Sequence, residues 1–130
     1  MHAFALNCTL KPSPEASSTD HLLDRLAALL TETDGRDQMP PVDQVALVAV
    51  VGNEDGAHHV GAELFQGLND LGFTVPANGM TYWVGEAMHG TDLKDLDSFP
   101  DKTAQTTRTM AINGVHLAQA LASGPCPSLA

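Results

Sequence analysis

Residues Gln44 to His59 read Q-V-A-L-V-A-V-V-G-N-E-D-G-A-H-H. Seven apolar residues, Val45 to Val51, run without interruption. Gly52 breaks the run, two acids follow, Gly56 breaks it again, and a helical pattern begins. A continuous apolar run, unlike an alternating one, is the pattern of a strand buried on both faces. A glycine-bounded loop between such a strand and a helix stands at the carboxyl end of a parallel sheet, where open α/β sheets hold their ligands. The Gly52 to Ala57 loop is therefore expected to form part of the wall of any site.

Working outward, Ala3 to Leu6 is a short apolar run that reads as a first strand, ending at Asn7-Cys8. Thr9 to Thr19 carries two prolines and five hydroxyl residues, which exclude regular structure. Ser17-Ser18-Thr19-Asp20 can cap a helix from Asp20 to Leu30, whose leucines repeat at helical spacing. Thr31 to Pro41 is polar and reads as a surface connection to the central strand. Beyond the loop, a helix starts near His58 or His59, with Val60, Leu64, Phe65, Leu68 and Leu71 on one face. Gly72 is a left-handed stop for it. A third strand begins at Phe73-Thr-Val75, meets Pro76, and resumes at Thr81-Tyr-Trp-Val84. Ser98 is the expected cap of the last helix, with Pro100 in its first turn and Asp101 at the capping-box position. That helix runs to about Ala122; its first half is rich in Thr, and Gly114 weakens the helix. The division is one domain over residues 1–123 and a flexible Gly-Pro tail over 124–130.

The order β-α-β-α-β-α predicts a parallel sheet with right-handed crossovers. A chain of 130 residues supports one such domain with a modest core. Its net charge of -10, from 16 acids and 6 bases, argues against nucleic acid or an anionic membrane as partner. It also requires any bound phosphate to be held mainly by neutral donors. Cys8 and Cys126 lack the spacing of a metal or disulfide framework, so both read as reduced thiols of a cytoplasmic protein. No signal-peptide pattern and no apolar run of membrane-spanning length is evident.

The segments A-L-N-C-T-L-K-P-S-P-E-A-S-S-T, V-A-V-V-G-N-E-D-G-A-H-H, A-E-L-F-Q-G-L-N-D-L-G-F-T-V-P-A and T-Y-W-V-G-E-A-M are spread along the chain from residue 5 to residue 88. Together they resemble the flavodoxin-like NAD(P)H-dependent FMN oxidoreductases. Members of that family carry a middle segment with the second and third strands, and no counterpart of it is present here. The fold implied is α/β, a truncated flavodoxin-like three-layer fold with a short parallel sheet of three to four strands. Joining the first strand directly to the central one by a right-handed crossover puts the first helix on the face used by the later crossovers. The last helix then covers the other face alone, and a homodimer, with or without exchanged elements, is expected to bury what is left open.

The resemblance implies a role for each candidate residue. Thr9, Ser17, Ser18 and Thr19, with Lys11 as the nearby base, stand where the family holds the FMN phosphate. Gly52, Asn53, Glu54, Asp55, Gly56 and Ala57 stand along the isoalloxazine edge, with Asn53 facing the pyrimidine. By residue type alone, the first set is a capped Pro-Ser loop and the second a strand-to-helix turn with acids near a helix N-terminus. Trp83, the chain's one tryptophan, is read either as a flavin-stacking ring or as an interface anchor. Asp55, His58 and His59 are possible metal ligands, but adjacent histidines on a helix diverge too far to share an ion. No acid–base pair or nucleophile stands out, as expected where a cofactor carries the chemistry. The implied function is an FMN-binding, NAD(P)H-dependent oxidoreductase passing hydride through flavin N5 to a small-molecule acceptor. The alternative is a non-catalytic oligomeric remnant that no longer binds flavin.

Overall fold

The central apolar run pairs over its last four residues. The computed structural model describes residues 26–52, 55–86 and 88–129. Strand β1 (Val48–Val51) lies parallel to strand β2 (Met80–Trp83), with Val48 opposite Met80 and Val51 opposite Trp83. The ladder extends toward the amino end as a single bridge between Val45 and Thr74, with Ala46 N–H on Thr74 O at 3.0 Å. The expected strand at Phe73 to Val75 thus reduces to one bridge. Pro76 has no N–H to continue the ladder, and Asn78 turns left-handed at φ 53°, so pairing resumes only at Met80. The expected first strand, Ala3 to Leu6, lies outside the described residues.

Helix α1 (Ala57–Asp70) follows β1, and helix α2 (Asp101–Ser123) follows β2 after a single 3₁₀ turn (Leu93–Asp95). The end of α1 follows from its sequence. Gly72 sits left-handed at φ 95°. Its N–H bonds Asn69 O at 2.9 Å, and Phe73 N–H bonds Leu68 O at 3.0 Å. These are the paired bonds of a Schellman stop, and the accompanying apolar contact is Phe73 on Leu68, both buried. At the start of α2 the expected Ser98 cap is replaced. Pro100 is itself the N-cap, extended at ψ 127°, and Ala104 N–H closes the first turn onto Pro100 O. Proline holds φ where a cap needs it, and its carbonyl can still accept.

The core lies on one face of the sheet. Leu26, Ala46, Val48, Leu68, Leu71 and Phe73 form a buried cluster, with Leu29, Val50, Leu64, Phe65 and Met80 packed against it. Each of the leucine, valine, phenylalanine and methionine side chains contributes about 1.5–3 kcal/mol when fully buried. Residues 26–29 are helical and join this cluster beside α1, which puts both on the same face. Helix α2 lies on the other face, against β2. Thr81 is buried there, its hydroxyl 2.8 Å from Thr106 Oγ1 and 3.0 Å from Thr107 Oγ1. Leu47 meets α2 at Gly114, where a Cβ would stand 3.0 Å from both its methyls. Gly114 thus makes room for the Leu47 side chain against α2, and is not merely a weak spot in a helix.

This arrangement corrects the reading of the central run as a strand buried on both faces. Ala46 and Val48 are buried, whereas Ala49 and Val51 on the opposite side are exposed. Among the described residues, the helix on that side, α2, meets Leu47 and leaves Ala49 and Val51 exposed.

The polar connection before β1 is also more closely held than a surface loop, with Gln38 and Pro41 buried. Arg36 pairs with Asp34 at 2.9 Å and with Asp43. Around it lie residues 126–129. Cys126 N–H donates to Asp43 Oδ1 at 2.8 Å, Gln38 Nε2 to Pro127 O at 2.6 Å, and Ser128 Oγ to Arg36 O at 3.1 Å. The N–H of Arg36 holds the Asp34 carboxyl below the usual carboxylate range. The N–H of Cys126, followed by the Arg36 guanidinium, does the same for Asp43. A carboxyl lowered in the folded state stabilises it above the unfolded value, near ~3.9, and loses that contribution as pH falls through the folded value. The difference in Tm between the wild type and Arg36→Gln is therefore expected to stay constant above about pH 5 and to shrink below about pH 4. A thermal-unfolding series against pH checks this.

Candidate functional site

The carboxyl ends of β1 and β2 converge at Gly52 and Trp83, where Gly52 N–H donates to Trp83 O at 3.0 Å. That bond continues the parallel ladder one residue past β1, and it occupies the N–H of the first loop residue. Beyond it the chain leaving β2 folds back over the first turn of α2 and encloses a cavity of about 590 Å³. Cavities of this size hold cofactors and small ligands. Its walls come from Tyr82 to Glu86, from His89, Thr91 and Leu96, and from Lys102, Thr103 and Thr106 on α2.

Local chemistry positions each wall. The Trp83 ring lies over Gly85, which is left-handed at φ 56°, and a Cβ there would stand 2.9 Å from the indole. Glycine at this point lets the chain turn beneath the ring. The Tyr82 ring points to the other face and meets His58 edge-on, 5.0 Å between centroids. The α2 wall is fixed by hydroxyls. Thr106 and Thr107 both lie within bonding distance of Thr103 O, at 3.1 and 2.7 Å, and of Thr81. Three hydroxyl protons serve three of these contacts, so the network ties the first turns of α2 to β2 with all three donors engaged. Thr103 Oγ1 also reaches Tyr82 O at 3.4 Å.

The cavity's polar character is mixed. Lys102 is its one lysine, placed in the first turn of α2 where unpaired N–H groups add a positive field. Asp101 in the same turn offsets part of that field. His89 Nδ1 lies 3.1 Å from Glu86 Oε2, an exposed pair at the mouth. Lys94 sits outside, between Asp92 at 3.1 Å and Asp95 at 2.8 Å, and these neighbours raise its pKa.

The structure sorts the sequence candidates into three groups. Trp83 is in the cavity wall. Gly52 adjoins it through the backbone, while Asp55 and Gly56 are exposed and Ala57, the first residue of α1, is buried. A Cβ at Gly52 or Gly56 would meet nothing within 4 Å, so among the described residues no side chain crowds this loop. Thr9, Lys11, Ser17, Ser18, Thr19, Asn53 and Glu54 lie outside the described residues. Sequence reading missed Lys102, Thr103, Thr106, Thr91 and His89. The signal for the threonines was present: 103, 106 and 107 repeat at i, i+3 and i+4, which puts three hydroxyls on one face of a helix.

No family model matches the chain. It is 35% identical over 113 residues to 8-demethyl-8-aminoriboflavin-5′-phosphate synthase of Streptomyces davaonensis, a match covering 84% of this chain and 43% of that protein. A second match, 36% identical over 75 residues, is to the divalent metal cation transporter MntH of Mycobacterium bovis, and covers 55% of this chain and 11% of the transporter. Among the described residues no helix is long and apolar enough to cross a membrane. In three dimensions the chain is similar to RosB, whose crystal structure holds the intermediate 8-demethyl-8-formylriboflavin-5′-phosphate. The TM-score is 0.72 at 32% identity, over 93% of this chain and 48% of RosB. The chain therefore spans less than half the length of these relatives, and its fold is a truncated flavodoxin-like α/β fold related to that of flavin enzymes.

Proposed function

We propose that the cavity at the carboxyl end of β2 holds a flavin 5′-phosphate and that the protein is an FMN-binding, NAD(P)H-dependent oxidoreductase. The observation that carries this reading is the cavity of about 590 Å³ walled by the Trp83 ring. Its place outside the carboxyl ends of parallel strands agrees with where open α/β sheets bind ligands. The likeness to RosB, which binds a riboflavin 5′-phosphate derivative, supports the choice of ligand. Trp83 offers a flat apolar surface to an isoalloxazine. Lys102 and the first turn of α2 offer positive potential in an otherwise acidic chain. The bound flavin would supply two-electron chemistry, with reduced nicotinamide as hydride donor, while the protein positions it and limits water access.

A second reading, a folded remnant without catalysis, is favoured by the span of only 43% and 48% of the flavin-related proteins. Equilibrium dialysis against riboflavin 5′-phosphate and against riboflavin separates the two. The first reading expects saturable one-to-one uptake of the phosphate ester, and NAD(P)H consumption once loaded. Uptake without NAD(P)H consumption supports binding alone, and no uptake supports the remnant.

A further inference from the structure

We propose that residues 126–129 are a redox-sensitive strap, docked on the connection before β1 while the Cys126 thiol is free and displaced when that thiol joins a mixed disulfide. Polar bonds hold the strap down. Asp43 Oδ1 accepts from Cys126 N–H at 2.8 Å, Arg36 Nη1 donates to Cys126 O at 3.4 Å, and Gln38 Nε2 donates to Pro127 O at 2.6 Å. Arg36 O accepts from Ser128 Oγ at 3.1 Å and from Leu129 N–H at 3.3 Å. The apolar side chains beyond Cys126 stay outside: Pro127 is exposed, and Leu129 is 76% exposed. A segment tied by polar bonds without a buried apolar anchor opens locally, well below the cost of global unfolding. Gln38 eases that opening. It is 6% exposed, and its Oε1 has no partner among the described residues. The unmet acceptor disfavours the docked state, and lifting Pro127 off the amide lets water reach it.

At the thiol, docking and reaction exclude each other. Cys126 is half-buried, and its hydrogen bond to Asp43, followed by burial and the carboxylate charge, holds the thiol above its ordinary pKa. The docked thiol is therefore a weak nucleophile, and exchange runs through the open strap. There the thiol proton leaves to water, and the thiolate attacks one sulfur of a small disulfide, which is the oxidant. A new S–S bond forms at Cys126, the old one breaks, and its other half departs as a thiolate. The modified Cys126 has no hydrogen left for Asp43. A glutathione adduct also brings net negative charge beside Asp34 and Asp43, which opposes redocking. Release loosens the start of the sheet and stops short of the cavity. Asp43 is left-handed at φ 72°, and the next residue, Gln44, accepts Thr74 N–H at 2.9 Å in the first bonds of the ladder. Residues 36–46 are thus the part that the strap steadies.

Reaction of the full chain with oxidised glutathione, followed at Cys126 by peptide mass spectrometry, tests the proposal. Arg36→Gln separates opening from direct attack by sign. The guanidinium charge lowers the thiol pKa, so its loss slows attack on a docked thiol. Loss of its bonds to Asp43 and Cys126 O frees the strap, so gated exchange is expected to run about tenfold faster. Ser128→Ala, at an exposed position that does not bond the thiol, should accelerate it by about threefold. The wild-type adduct should show faster amide hydrogen exchange over residues 36–46, unchanged exchange within α1, and reversal by dithiothreitol. Failure of either variant to accelerate the reaction, absence of an adduct at Cys126, or an adduct whose exchange over 36–46 equals that of the unmodified protein overturns the proposal.

Discussion

Trp83→Ala is expected to weaken binding of riboflavin 5′-phosphate by about ten- to hundredfold. Stacking a planar heterocycle on an aromatic side chain contributes ~1–3 kcal/mol, and 1.4 kcal/mol is tenfold in affinity. The geometry makes Trp83 the residue to bear this. Its ring forms a cavity wall and is held from beneath by Gly85. Its backbone is pinned by the bond from Gly52 at 3.0 Å, so the ring is presented from a fixed strand end. Trp83→Phe should recover most of the lost affinity, since it keeps an aromatic face. Equilibrium dialysis on the three proteins checks this, with thermal unfolding recorded alongside. Equal affinities for the alanine and wild-type proteins would remove Trp83 from the site and return it to the role of interface anchor.

Phe73→Ala is expected to cost about 3–5 kcal/mol of folding stability. Phe73 is 3% exposed, and it belongs to two structures at once. Its N–H closes the Schellman stop of α1 onto Leu68 O, and its ring packs into the cluster formed by Leu26, Ala46, Val48, Leu68 and Leu71. Alanine keeps the backbone bond but leaves a cavity where α1, the bridge at Thr74 and residues 26–29 meet. Against a typical total of about 5–15 kcal/mol, that loss would leave the chain marginal. Urea unfolding should show a lower midpoint with little change in slope. Phe99→Ala, at 54% exposure, should change stability by less than about 0.5 kcal/mol.

The parts of the fold set by local rules were legible in the sequence. Gly72 after a leucine stripe specifies a left-handed helix stop, and the run ending at Val51 specifies a strand. What needed tertiary context was not. Seven apolar residues in a row predict burial on both faces, but burial depends on how many helices are available to cover them, and Ala49 and Val51 are left open. Phe73 to Val75 has better β-propensity than Met80 to Trp83. The pairing went to the second because Pro76 and Asn78 interrupt the ladder between them. Residues 124–130 read as a flexible tail, since nothing local links Cys126 and Pro127 to Asp43 and Gln38, which lie more than eighty positions earlier.

The candidate site was legible at one residue. Trp83 was identified as a possible stacking ring, and it lies in the cavity. The α2 wall was missed because the Thr-rich helical start was noted only as composition, with no partner assigned to its hydroxyls. In the folded chain those hydroxyls bond Thr81 and the Thr103 carbonyl, and so fix the first turn of α2, with Lys102, against the end of β2. The Gly52 loop keeps its place at the carboxyl edge of the sheet, and its described residues adjoin the cavity through the backbone of Gly52 rather than line it.

The most direct test uses the chain's single tryptophan as its own reporter. Titrating the wild-type protein with riboflavin 5′-phosphate and recording Trp83 fluorescence is predicted to give saturable quenching that ends at one flavin per chain. A decline that never saturates and matches that of a free tryptophan derivative at the same flavin concentration would contradict a flavin site at the carboxyl end of β2.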